Sequence, residues 1–146
     1  HLRHQRGITM SLFKVMDVAG SAMSAQTLRL NTTASNIANA NSVSSSADTT
    51  YRARQPVFAA AFDRAQQDQQ AVGVKVLGIV ESDQPLVREY NPGHPQADAD
   101  GYIFKPNVNV MEEMANMISA SRSYQTSVQV AEVAKSMLTK TLTLGQ

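Results

Sequence analysis

Few residues in this 146-residue chain have the type and spacing that chemistry needs. The histidines are His1, His4 and His94. His1 and His4 lie at i and i+3 in a short leader before Met10, and His94 stands alone in a proline-rich turn. Asp98-Ala99-Asp100-Gly101 has the first features of a calcium loop, but it lacks a third ligand at the right spacing and the closing Glu, so it reads as a turn. Glu112 and Glu113 look like a carboxylate pair. Adjacent helical positions point about 100° apart, however, and do not face one site. Gly20, Gly73 and Gly78 form no phosphate loop, and no serine is marked as a nucleophile beside a base. The sequence therefore predicts no catalytic residue, no cofactor and no metal site, and the chain reads as something other than an enzyme.

Composition narrows the classes further. The chain has no cysteine, which excludes disulfides, thiolate metal sites and Cys nucleophiles. Only 17% of residues are charged and the net charge is +1, which argues against nucleic acid as a partner. A surface rich in Gln, Asn, Ser and Thr but poor in charge suits packing against neighbours. No apolar run approaches the ~20 residues needed to span a bilayer, so direct membrane insertion is not expected. Residues 1–9 are basic but no continuous apolar stretch follows, so no cleavable signal is read there. They read as a leader, or an extension ahead of a natural start at Met10.

The elements that position the rest are two long helical patterns at the ends of the chain. From Leu12 a heptad register runs Leu12, Met16, Ala19, Met23, Gln26, Leu30, Thr33, Ile37. Steps of four and three are the period of a seam between helices. The pattern predicts a helix from Leu12 to about Ala38, stopping where Asn39–Asn41 gather Asn and Ser. Ser42–Thr50 is a polar loop. Tyr51–Phe62 is more apolar and is interrupted by Pro56. Asp63–Ala71 is polar and expected to be mobile. Alternation over Val72–Val80 predicts a strand, with Leu86–Tyr90 as its pairing partner across Ser82–Pro85. Asn91-Pro92-Gly93-His94-Pro95 and Asp98–Gly101 are turns, and Tyr102–Phe104 is a short strand candidate.

A second heptad register runs Val110, Met114, Met117, Ser121, Tyr124, Val128, Ala131, Lys135, Leu138, Leu142. Asn109 is its N-cap, with Glu112 at the third helical position. Toward the end the apolar positions broaden to a second face through Val130, Val133, Ala134, Met137 and Leu144. One seam needs one stripe, so two stripes imply an intramolecular partner and another chain. The predicted fold is mainly α, an antiparallel coiled-coil-like hairpin of N- and C-terminal helices enclosing a small β-rich middle. Its divisions are 1–9 (leader), 10–41 (first helix), 42–108 (β-hairpin and loop region) and 109–146 (second helix).

The strings that mark these ends are distinctive. Ala34-Ser35-Asn36-Ile37-Ala38-Asn39-Ala40 follows a helix ending in Arg29-Leu30. Ser119–Gln146 supplies the second helix. Between them come Tyr51-Arg52-Ala53-Arg54-Gln55, Asn91-Pro92-Gly93-His94-Pro95 and Gly101-Tyr102-Ile103 followed by Pro106-Asn107-Val108. Together they resemble the rod and hook family of the bacterial flagellum, over about Met10–Gln146. The short middle is similar to that of proximal-rod members, because distal-rod and hook relatives carry larger inserted domains.

The resemblance implies a structural subunit of a helical rod in the basal body, spanning the periplasm and transmitting torque. It implies export by the flagellar type III apparatus without a cleaved signal. The implied partners are further copies of the chain, proximal and distal rod proteins, and an adaptor at the export gate or MS ring. The residues expected to carry assembly are Leu12, Met16, Met23, Leu30, Asn36, Ile37, Asn39, Met114, Met117, Tyr124, Val128, Leu138 and Leu142. Asn36 and Asn39 are expected to tie off the first helix by side-chain bonds to backbone. The rival reading is a soluble coiled-coil adaptor or type III secreted effector using the same helices.

Overall fold

A computed structural model of the chain describes residues 2–61 and 73–145. Two long helices, α1 (Leu2–Ala38) and α2 (Val110–Leu144), flank four short strands. The strands are β1 (Arg54–Ala61), β2 (Gly73–Glu81), β3 (Val87–Tyr90) and β4 (Tyr102–Lys105). The expected fold class, a mainly helical chain with a small antiparallel middle, is what the structure has. The polar segment expected to be mobile lies outside the described residues.

Helix α1 begins ten residues before the predicted Leu12. Residues 2–9 carry no strong breaker except Gly7, which a helix tolerates at about 1 kcal/mol, so nothing local ends the helix there. Helix α2 starts as expected, with the Asn109 carboxamide oxygen accepting from the Glu112 backbone N–H at 3.2 Å. Along both helices hydroxyls turn back onto their own turns. Thr126, Ser127, Thr139, Thr141 and Thr143 in α2, and Thr9 and Thr27 in α1, each donate to the carbonyl four residues earlier.

The strands form two sheets of two strands each, β1 with β2 and β3 with β4. The expected pairing of Leu86–Tyr90 with the Val72–Val80 strand is therefore wrong. β3 pairs antiparallel with β4, with Tyr90 opposite Tyr102 and Val87 opposite Lys105. The turn explains why. Asn91 N–H donates to Gly101 O and Gly101 N–H to Asp98 O, closing the loop on itself. Asp98 Oδ1 accepts from the N–H groups of Asp100 and Tyr102, at 2.9 and 2.8 Å. His94 Nδ1 accepts from Gln96 N–H at 3.0 Å. Gly101 has φ +84°, and a Cβ there would stand 2.9 Å from Tyr90 Cε2. Pro56 sits within β1, which a two-stranded sheet allows because each strand has a free edge.

The chain divides into two compact units. One is drawn from His1–Leu28, Phe58–Leu77 and Ala120–Gln146, and the other from Arg29–Val57 and Gly78–Ser119. In the first, Leu12 of α1 packs with Ala134 and Leu138 of α2, and Val15 and Met16 lie against them. Ala19, Ala25 and Ala120 are also buried there, and Ser21 Oγ accepts from Val74 N–H of β2 at 3.0 Å. In the second, the buried residues include Thr32, Thr33, Asn36, Thr50, Ala53, Ile103 and Glu113. There α1 and α2 run antiparallel, since Arg29 meets Asn116 and Ser119 while Asn36 meets Glu113.

Candidate assembly interface

Each unit has one feature that stands out. In the second unit it is a polar junction built around Asn36, which is 1% exposed. Its Oδ1 accepts from Arg54 N–H at 2.9 Å and from the Tyr51 hydroxyl at 2.7 Å. Its Nδ2 donates to Arg54 O at 2.8 Å and to Glu113 Oε2 at 3.1 Å. Both acceptor sites and both donors of the amide are thus used. The Arg54 guanidinium lies 5.3 Å from the Tyr51 ring centroid, which packs the start of β1 over the same point.

Asn107 makes a second junction of this kind. Its Oδ1 accepts from Ala53 N–H at 2.7 Å, and its Nδ2 donates to Gln84 O at 2.8 Å and Ser82 O at 3.3 Å. Arg52 donates to the same two carbonyls, each at 3.2 Å. Arg88 stacks 3.8 Å from the centroid of Tyr102, whose ring meets Tyr90 edge-on at 5.2 Å. The Lys105–Glu89 pair at 2.8 Å is exposed on both sides and contributes at most about 1 kcal/mol.

The apolar face is in the first unit. Leu12 and Val15 of α1 and Val130, Val133, Ala134 and Met137 of α2 line an open groove. Val130, Val133 and Met137 are exposed, as are Leu142 and Leu144 near the end of α2 and Leu2, Ile8, Met10 and Phe13 on α1.

The residues singled out from the sequence fall into three groups. Leu12, Leu138 and Asn36 are buried. Met16, Met23, Leu30, Ile37, Asn39, Met117 and Val128 are half-buried. Met114, Tyr124 and Leu142 are exposed. Of the two asparagines expected to tie off α1, Asn39 does so, donating to Ser35 O at 2.8 Å. Asn36 instead reaches across to Arg54, Tyr51 and Glu113.

The inward residues of α2 also differ from the heptad reading in part. Glu113, Ala120 and Ala134 are buried where Met114, Ser121 and Lys135 were expected. Alanines, Leu138 and one polar group with a partner take the inward positions, while Met114 and Lys135 are left outside. Sequence reasoning missed Glu113, Tyr51, Arg54 and Asn107 as structural partners. The one signal available was the run of amides around Asn36, which marks an unusual polar requirement but does not name its partners.

Among the described residues no helix is long and apolar enough to cross a membrane. Comparison with known proteins gives consistent matches at both ends of the chain. A model described as "Flagella basal body rod protein" matches residues 16–44. Another, described as "Flagellar basal body rod FlgEFG protein C-terminal", matches residues 99–144. The chain is 50% identical to the flagellar basal-body rod protein FlgC of Salmonella typhimurium over 137 residues, covering 94% of this chain and 100% of that one. It is 52% identical to the protein of the same name from Yersinia enterocolitica, with the same coverage. The Buchnera aphidicola relative from Acyrthosiphon pisum is 42% identical over 139 residues.

Proposed function

The chain belongs to the FlgC family of flagellar basal-body rod proteins and is a structural subunit of that rod, and from this premise we propose how it serves there. It takes its place in the proximal rod and polymerises through its terminal helices with further copies of itself and with other rod proteins. Head-to-tail contacts that do not close generate a helical tube. Close-packed helices give that tube the stiffness to transmit torque. Membership of the family implies a place in the basal-body rod and assembly with other basal-body proteins. The adaptor or secreted-effector alternative has no support among the relatives.

The observation that carries this reading is the open groove of the first unit. Val130, Val133 and Met137 present an apolar face that the described residues leave exposed. A neighbouring subunit's helix is the simplest cover of matching chemistry. Export through the type III apparatus, without a cleaved signal, and a working position across the periplasm complete the proposal. A cysteine-free chain supports it, since no thiol has to be managed between compartments. The helices and amide junctions act as scaffold rather than catalyst.

Electron cryo-microscopy of isolated basal bodies at side-chain resolution tests the proposal. Proximal-rod density that fits this chain, with α1 packed on α2, is the expected result. A proximal rod wholly accounted for by other chains overturns it.

A further inference from the structure

Asn36 bonds three residues, on two separate stretches of the second unit, with one side chain. Toward Arg54 it presents an acceptor to the backbone N–H and a donor to the backbone carbonyl of the same residue, as an antiparallel strand neighbour would. The second donor and the second acceptor site face Glu113 and Tyr51. An amide turned to face Arg54 correctly must also point its remaining N–H at the position of Glu113. That position holds an acceptor only when α2 lies against α1.

We propose that Asn36 is a positioning residue that makes docking of the β1 start conditional on closure of the helix pair. Glu113 does its part by orienting the Asn36 amide. With Glu113 in place, the amide has one orientation that satisfies all four of its partners. Without that acceptor, the buried N–H is orphaned and the amide turns to find another partner, releasing Arg54. Helix pairing and docking of the β1 start are then one cooperative event. The inference rests on the geometry of the second unit alone and does not depend on which neighbours the chain meets.

Site-resolved amide exchange by NMR on the full chain tests it. Two reporters lie in the same unit: Arg54 N–H, held by Asn36 Oδ1, and Phe104 N–H, held by Ser44 O at 2.9 Å. Glu113→Ala should speed exchange at Arg54 about tenfold, the equivalent of losing one charge-assisted bond, while Phe104 changes by less than about threefold. Glu113→Gln keeps an oxygen acceptor at the same reach and should leave both reporters within about threefold of the parent. Unchanged exchange at Arg54 in Glu113→Ala overturns the proposal. A rise of both reporters together also overturns it, because that is general loosening or unfolding and not an effect transmitted through Asn36. So does a Glu113→Gln chain that behaves like Glu113→Ala.

Discussion

The Asn36 amide donates to the Glu113 carboxylate at 3.1 Å, joining residues 77 positions apart near opposite ends of the chain. Glu113 is 5% exposed, so both partners of this bond are shut off from water. A buried polar pair of this kind is costly to break from one side, because the group left behind has no solvent to turn to.

Asn36→Asp keeps the shape of the side chain and removes both of its N–H donors. Acceptor then faces acceptor at Arg54 O and at Glu113. The expected cost is about 3 kcal/mol of unfolding free energy. Adding Glu113→Gln returns a donor to the junction and should recover roughly 1 kcal/mol or more. Urea unfolding of the full chain measures both, and equal midpoints for the single and double variants would rule out the pairing as a source of stability.

Gly101→Ala forces a Cβ into the turn between β3 and β4, at a backbone φ of +84°. The new atom would stand 2.9 Å from Tyr90 Cε2 and 3.1 Å from Pro92 Cβ. The Tyr90 ring can swing away but the proline cannot, so part of the strain remains. A loss of about 2 kcal/mol is expected. Thermal unfolding followed by circular dichroism should show the midpoint lowered by about 6 °C. A midpoint unchanged to within a degree or so would mean that the turn relaxes freely.

Val133→Asp separates assembly from folding. Val133 is 58% exposed, so the free chain should unfold within about 0.5 kcal/mol of the parent. Once a neighbour covers the groove, the carboxylate has no partner and its burial costs several kcal/mol. Cells carrying only this variant should fail to swim in soft agar, whereas Glu132→Gln, on the adjacent exposed residue, should swim normally. Swimming Val133→Asp cells would show that the groove is not an assembly contact.

The helices, the end of α1 and the Asn109 cap were legible in the sequence because local periodicity and capping chemistry fix them, whereas the start of α1 lies ten residues earlier than its periodicity marked. The broad second stripe on α2 was legible too, since Val130, Val133 and Met137 lie where a single seam has no use for them. What escaped is long-range. β3 pairs with β4 rather than β2, in a hairpin that the hydrogen bonds of the Asn91–Gly101 turn close. The inward positions of α2 include Ala120, Ala134 and Glu113 beside Leu138, and hydrophobic pattern alone does not single out alanines or a carboxylate. Glu113 read only as one of two adjacent carboxylates that do not face one site. Nothing local to it points to a partner 77 residues away.

The threonines and serines that bond back onto their own helices give the chain an unusual kind of outer skin. A Thr hydroxyl held by the carbonyl four residues earlier no longer seeks a partner, and what it shows the outside is largely its methyl group. Helices dressed this way, with few charges between them, can be gripped without directional bonds. Such a grip depends on closeness more than on angle, so it accepts small rotations between neighbours that a lattice of salt bridges would resist. It also stays indifferent to ionic strength. The same chain can then occupy positions that differ slightly from one another without being rebuilt for each.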